Sequence, residues 1–125
     1  MTAKRVLVVE DDRVINQALG DRLRAEGYDV SAAFDGPSAV EAHRRNPADV
    51  VVLDPPRAGA GAAVVSAVAA AGRARAVAYV ACDGGSLARD AAMLGQHGWE
   101  LSGLRAFDLF GMSHHVEAVA TFRRS

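Results

Sequence analysis

Three features of this 125-residue sequence predict an α/β fold, a three-layer, doubly wound and mostly parallel sheet. First, the apolar runs Val6 to Val9, Val50 to Leu53 and Ala76 to Ala81 alternate with segments whose apolar residues recur at helical spacing. Second, the connections are short, which requires parallel strands with helices on both faces. Third, Trp99 to Phe107 and His115 to Phe122 read as strands with no helix between them, so they should run antiparallel. The expected strand order is 2-1-3-4-6-5, with the last strand antiparallel and residues 1–125 in a single domain.

The elements follow in order. Lys4-Arg5 leads into Val6 to Val9, which ends in Glu10-Asp11-Asp12. Val14, Ile15, Ala18, Leu19 and Leu23 mark a helix, with Gly27 a plausible C-cap. Tyr28 to Ala33 alternates as a strand, and Asp35-Gly36-Pro37 or Ser38 opens a helix to about Arg45. Val50 to Asp54 reads as a central strand buried on both faces and stopped by Pro55-Pro56. An alanine-rich helix covers Ala62 to Ala71, the fourth strand ends in Cys82-Asp83-Gly84-Gly85, and Ser86 is expected to cap a helix from Leu87 to about His97.

Composition narrows the function. A net charge of -1 without a basic patch gives nucleic acid or an anionic membrane no electrostatic footprint. The single cysteine excludes an internal disulfide and suits a reducing compartment. No apolar run approaches the ~18 residues of a membrane span, so a cytoplasmic protein is expected.

Residues 5–54 resemble a response-regulator receiver domain, of the CheY-like, flavodoxin-like fold. The resemblance rests on Val6-Leu-Val-Val-Glu10-Asp11-Asp12, Gly27-Tyr-Asp-Val30, Asp35-Gly36, Ala39, and Pro47 followed by Val51-Val-Leu-Asp54. It implies that Asp54 is the phosphoacceptor, that Glu10, Asp11 and Asp54 bind Mg2+, and that the partner is a histidine kinase. The chemistry is coherent, because clustered carboxylates suit a hard divalent ion with oxygen ligands. Beyond Asp54 the pattern fails: Ala81 stands nearest the expected hydroxyl residue, and Arg105 replaces a lysine in a different local context. Those groups would read a phosphoryl group, so a poorly switching receiver is expected.

Residues 49–123 resemble the C-terminal part of an S-adenosylmethionine-dependent RNA (uracil-5-)methyltransferase. The carrying residues are Asp54-Pro-Pro-Arg-Ala-Gly59, Tyr79-Val-Ala-Cys82 with Leu87-Ala-Arg-Asp90, and Phe107-Asp-Leu-Phe110 with His114-His-Val-Glu117. The resemblance implies a Cys82 nucleophile that adds to carbon 6 of uracil and a Glu117 base that removes the carbon 5 proton. It also places Asp54 beside cofactor and base, with Arg57 holding that loop. Cys82-Asp-Gly-Gly85 and Gly111 depart from the family's usual turns. No G-x-G-x-x-G follows the first strand, whose acids would repel the cofactor carboxylate, so S-adenosylmethionine is not expected to bind.

Plainer readings stand beside these. Glu10, Asp11 and Asp12 could form a solvated turn that favours the helix dipole, and Cys82 could be a small buried hydrophobe. Adjacent His114 and His115 point to opposite faces of a strand and lack a zinc-like partner spacing. Trp99, Phe107, Phe110 and Phe122 are most simply packing residues. The resulting expectation is a hybrid: receiver-like over 1–54, methyltransferase-like over 55–125, most simply a degenerate receiver with a Mg2+ site. The alternatives are a methyltransferase remnant using Cys82 and Glu117, whose reaction would be RNA 5-methyluridine formation, and an inactive folded scaffold.

Overall fold

The computed structural model describes residues 3–70, 73–107 and 117–124. The elements are β1 (Arg5–Glu10), α1 (Arg13–Ala25), β2 (Asp29–Ala33), α2 (Gly36–Arg45), β3 (Val50–Asp54), α3 (Ala62–Ala70), β4 (Ala76–Ala81), α4 (Gly84–Gln96), β5 (Glu100–Phe107) and β6 (Glu117–Arg123). They form one six-stranded sheet of order β2-β1-β3-β4-β6-β5. β1 pairs in parallel with β2 and β3, and β3 with β4, whereas β6 is antiparallel to both β4 and β5. This is the mixed α/β sheet and strand order that the sequence predicts. The segment 108–116, with Phe110, His114 and His115, lies outside the described residues.

One apolar core crosses the chain from end to end. Leu7, Val51, Leu53, Val77, Tyr79, Ala120 and Phe122 line one sheet face and meet Ala39 of α2, Val65 and Val68 of α3, and Leu94 of α4. Trp99 belongs to the same core and donates its indole N–H to the Ala69 carbonyl at 3.3 Å. Burial of this apolar layer is the main favourable term holding the two sequence halves together.

Among the described residues the opposite face carries only α1, over β1 and β2, and this changes two expectations. β3 is not buried on both faces: Val51 and Leu53 are buried, whereas Val50, Val52 and Asp54 are only partly so. The inward stripe of α1 is Asn16, Leu19, Gly20 and Leu23, and Val14 and Ile15 point outward, 79% and 45% exposed. Gly20 is buried on this stripe and packs over Val30 of β2.

The start of α4 differs from expectation, while α1 and α2 start in the same way. An aspartate at the N-cap accepts free first-turn N–H groups better than a residue inside the helix can. Asp12 caps α1 through the amides of Val14 and Ile15 (2.9 and 3.1 Å), and Asp35 caps α2 through Ser38 (2.7 Å). Asp83, not Ser86, caps α4, accepting from the Ser86 amide at 2.9 Å. α4 therefore begins three residues before the expected Leu87.

Candidate functional site

The carboxyl ends of β1 and β3 bring two acids together. Glu10 and Asp54 are opposite each other in the parallel register, which brings their carboxyl groups within mutual influence. Two carboxyl groups can hydrogen-bond to each other only when one retains a proton. Burial first, then the bond and charge of Asp54, then Asp11, raise the Glu10 pKa from the ordinary carboxylate range to about 7. The Asp54 pKa is also raised, first by burial, with the bond from Glu10 opposing and the charges of Glu117 and Asp11 adding. Both shifts run in the direction that disfavours two anions side by side.

Asn16 fixes this edge from below. It is 2% exposed, and its Nδ2 donates to the Glu10 and Ala33 carbonyls, both at 3.0 Å. The amide thereby ties the ends of β1 and β2 to α1. Sequence reasoning passed over Asn16, although it occupies the i position of the i, i+3, i+4, i+7 stripe completed by Leu19, Gly20 and Leu23. Asp12 is spent as the α1 cap, which separates it from Glu10 and Asp11 in role.

A cleft of about 450 Å3 opens above the acids, walled by Val9, Phe34, Leu53, Pro55 and Val64. Glu10, Asp11, Asp35 and Asp54 are its only charged lining residues among those described. Carboxylate oxygens are the donors a hard cation requires. Even so, no group of three His, Cys, Asp or Glu side chains among the described residues is arranged to hold a metal ion.

The loop after Asp54 is held by α4. Arg89 Nη2 donates to the Ala58 carbonyl, Ser86 Oγ to the Arg57 carbonyl at 2.6 Å, and the Ala60 amide to Asp90 Oδ2 at 2.8 Å. Tyr79 from β4 donates its hydroxyl to the same Asp90 oxygen at 2.5 Å. Asp90 is fully buried, and its other oxygen lies 3.8 Å from Arg89 Nε. Gly59 has φ +91° and leaves no room for a side chain, since a Cβ would stand 2.6 Å from Arg89 Nη2 and 2.7 Å from Asp90 Oδ2. Asp90 and Tyr79 enter the sequence reading only as motif letters, and their polar partnership is a tertiary contact that spacing does not reveal.

The second candidate pair lies at the adjacent strand ends. The β4–β6 ladder runs to Ala81 opposite Ala118, so Cys82 and Glu117 are the next residue on each strand. Cys82 is exposed, which overturns the reading of it as a small buried hydrophobe. Glu117 is half-buried, and its charge reaches Asp54. One sheet edge thus gathers Glu10, Asp11 and Asp54 with the neighbouring Cys82 and Glu117. Ala81 ends β4 without a hydroxyl, and the Ser86 hydroxyl is engaged with Arg57 and Asp83. Arg105 lies on β5, separated from β4 by β6.

A parallel sheet whose first and third strands end in facing acids defines a receiver-type domain. The family model for the response regulator receiver domain matches residues 6–83, and the chain belongs to that family. It is also a hybrid. It is 49% identical over 128 aligned residues to an uncharacterized RNA methyltransferase of Bifidobacterium longum, covering 96% of this chain and 28% of that protein. It is 42% identical over 76 residues to the 23S rRNA (uracil(1939)-C(5))-methyltransferase RlmD of Acinetobacter baumannii, covering 61% of this chain and 16% of that protein. The chain thus spans less than a third of the length of these curated relatives. The magnesium protoporphyrin IX methyltransferase of Synechocystis PCC 6803 shares the fold, with a TM-score of 0.66, 11% identity, and coverage of 98% of this chain and 71% of that one.

Proposed function

We propose that this chain acts as one folded, cytoplasmic unit, a degenerate receiver whose carboxylate edge takes Mg2+ through Glu10, Asp11 and Asp54. In this reading Asp54 accepts a phosphoryl group weakly or not at all. The observation that carries it is the convergence of Glu10, Asp11 and Asp54 on one cleft at the carboxyl ends of β1 and β3. A divalent ion would offset the mutual repulsion of these carboxylates, and their oxygens suit it. Ion entry requires Glu10 to be ionised. Phosphoryl transfer has weaker support: Ala81 offers no hydroxyl, and β6 stands between Arg105 and the strand next to Asp54. A histidine kinase is the partner this reading assigns.

The test is a Mg2+ titration followed by backbone amide shifts. Saturable shifts at Glu10, Asp11 and Asp54 in the millimolar range are expected, and Asp54→Asn should remove them. A flat response would overturn the metal site. Incubation with acetyl phosphate, read by intact mass, should leave most of the chain unmodified.

A second reading has one observation of its own, the adjacency of Cys82 and Glu117 beyond the Ala81–Ala118 pair. It makes the chain a remnant of an RNA (uracil-5-)methyltransferase, with Cys82 placed to add to a pyrimidine and Glu117 to take a proton. The cofactor does not fit this edge. Asp35 caps the start of α2, and Glu10 and Asp11 would face the amino-acid carboxylate of S-adenosylmethionine. Calorimetry should detect no S-adenosylmethionine binding. Cooperative unfolding with neither metal nor cofactor bound would leave the inactive scaffold as the remaining account.

A further inference from the structure

His43 lies in the last turn of α2 and is 3% exposed. Its Nδ1 accepts the Ala48 amide at 3.1 Å, across the Asn46-Pro47 turn that leads into β3. A ring nitrogen accepts only through a free lone pair, so the ring is neutral and its proton sits on Nε2. That Nε2 is buried and has no hydrogen-bond partner among the described residues. The group stands at the opposite end of the strands from Glu10 and Asp54, and nothing proposed for that edge uses it.

We propose that His43 is an acid-released latch: the neutral ring ties the end of α2 to the start of β3, and protonation opens that joint. An added proton can go only to Nδ1, which then donates and faces the Ala48 N–H as a second donor. The cationic ring would keep two N–H groups where neither has an acceptor, so it takes the proton by turning out to water. Burial first, and the charge of Arg124 second, oppose protonation in place. Neighbouring elements do not offset this. α3, packed beside α2, has no titratable side chain, and Arg44 and Arg45 on α2 itself pair with Glu41. The charged residues at the nearby strand starts are Lys4, Arg5, Asp29, Asp49, Arg73 and Arg75, in which cations outnumber acids. The Asp49 carboxyl is held below its usual range, first by the Arg5 amide, so it stays ionised while His43 titrates. Its oxygens accept the Arg5 amide at 2.8 Å and Arg73 Nε at 3.0 Å. Release of Ala48, the residue before Asp49, therefore loosens the corner where β1, β3 and the lead into β4 meet.

The test follows the histidine ring nitrogens by long-range 15N NMR and the Ala48 amide by hydrogen exchange, in the full chain from about pH 7.5 to 5. Glu10 titrates in an overlapping range with the opposite effect on stability, so both readouts are local. The His43 ring should carry its proton on Nε2 at the upper pH and titrate below the ordinary histidine value of 6.5. With the folded pKa depressed, the open form binds the extra proton, so the latch holds above 6.5 and weakens as pH falls. Ala48 protection should drop about tenfold from pH 7 to pH 5, while that of Val8 in the middle of β1 should not fall. In His43→Gln an amide oxygen can accept from Ala48 without titrating, and protection should stay within about twofold over the same range. The ring and amide of the unaltered chain decide the outcome even where that variant does not fold. A proton on Nδ1 at pH 7.5, a midpoint at or above 6.5, or Ala48 protection unchanged to pH 5 would each overturn the proposal. So would a folded His43→Gln chain that loses Ala48 protection with acid as the unaltered chain does.

Discussion

Two buried acids in this molecule are surrounded in opposite ways. Asp90 on α4 is supplied with donors: the Tyr79 hydroxyl and the Ala60 amide bond to one oxygen, and Arg89 stands beside the other. Glu10 at the end of β1 is 6% exposed and is surrounded by further acids, Asp54 and Asp11. Burial costs an ionised carboxylate several kcal/mol unless donors replace water, so Asp90 can settle as part of the scaffold. Glu10 can relieve the cost only by holding a proton or a cation. The first arrangement braces a loop, and the second leaves an edge ready for a ligand.

Removing the acid from each region should therefore have opposite consequences, and the largest effect belongs to Asp90. Asp90→Ala strands the Tyr79 hydroxyl and frees the loop carrying Gly59 and Ala60, lowering the unfolding free energy by about 3 kcal/mol in urea at pH 7. Asn16→Ala comes next. It leaves the Glu10 and Ala33 carbonyls without their shared donor and should cost about 2 kcal/mol by the same measurement.

The acidic edge should show itself through pH. The folded-state pKa of Glu10 is raised, so the folded chain binds more protons than the unfolded one between the ordinary glutamate value of 4.5 and about 7. Stability is then greatest below the unfolded value and falls as pH rises through the folded one. Water at the mouth of the cleft screens the effect, leaving a loss on the order of 1–2 kcal/mol between pH 4.5 and 8. Asp54→Asn should remove part of that loss, because the neutral amide no longer opposes Glu10 ionisation while burial, the larger cause, remains. The smallest effect is expected on the bare face of α1, where Val14→Ser should change stability by less than about 0.5 kcal/mol.

Much of the architecture was legible before any coordinates. Short crossovers and the missing helix before β6 were enough to order the strands, because few topologies satisfy both. The convergence of Glu10 and Asp54 was legible too, since acids at the ends of neighbouring parallel strands must meet at one edge. What escaped depends on tertiary partners. The Tyr79–Asp90–Ala60 contact joins β4, α4 and the loop after β3, and local pattern carries no trace of it. Val14 and Ile15 share helical spacing with the buried stripe of α1, but apolar identity alone did not say that the inner face is built around Asn16 and Gly20. The Val-Val-Val-Leu run suggested burial on both faces of β3, yet among the described residues no helix covers the side of Val50 and Val52, which are only partly buried.

Protonation at the β1 and β3 ends can be observed directly by following the side-chain carboxyl carbons of Glu10 and Asp54 by NMR against pH. The account predicts a Glu10 transition at about 7, mirrored at Asp54 and displaced to lower pH by Mg2+. Independent transitions of both residues in the ordinary carboxylate range, unmoved by Mg2+, would contradict it.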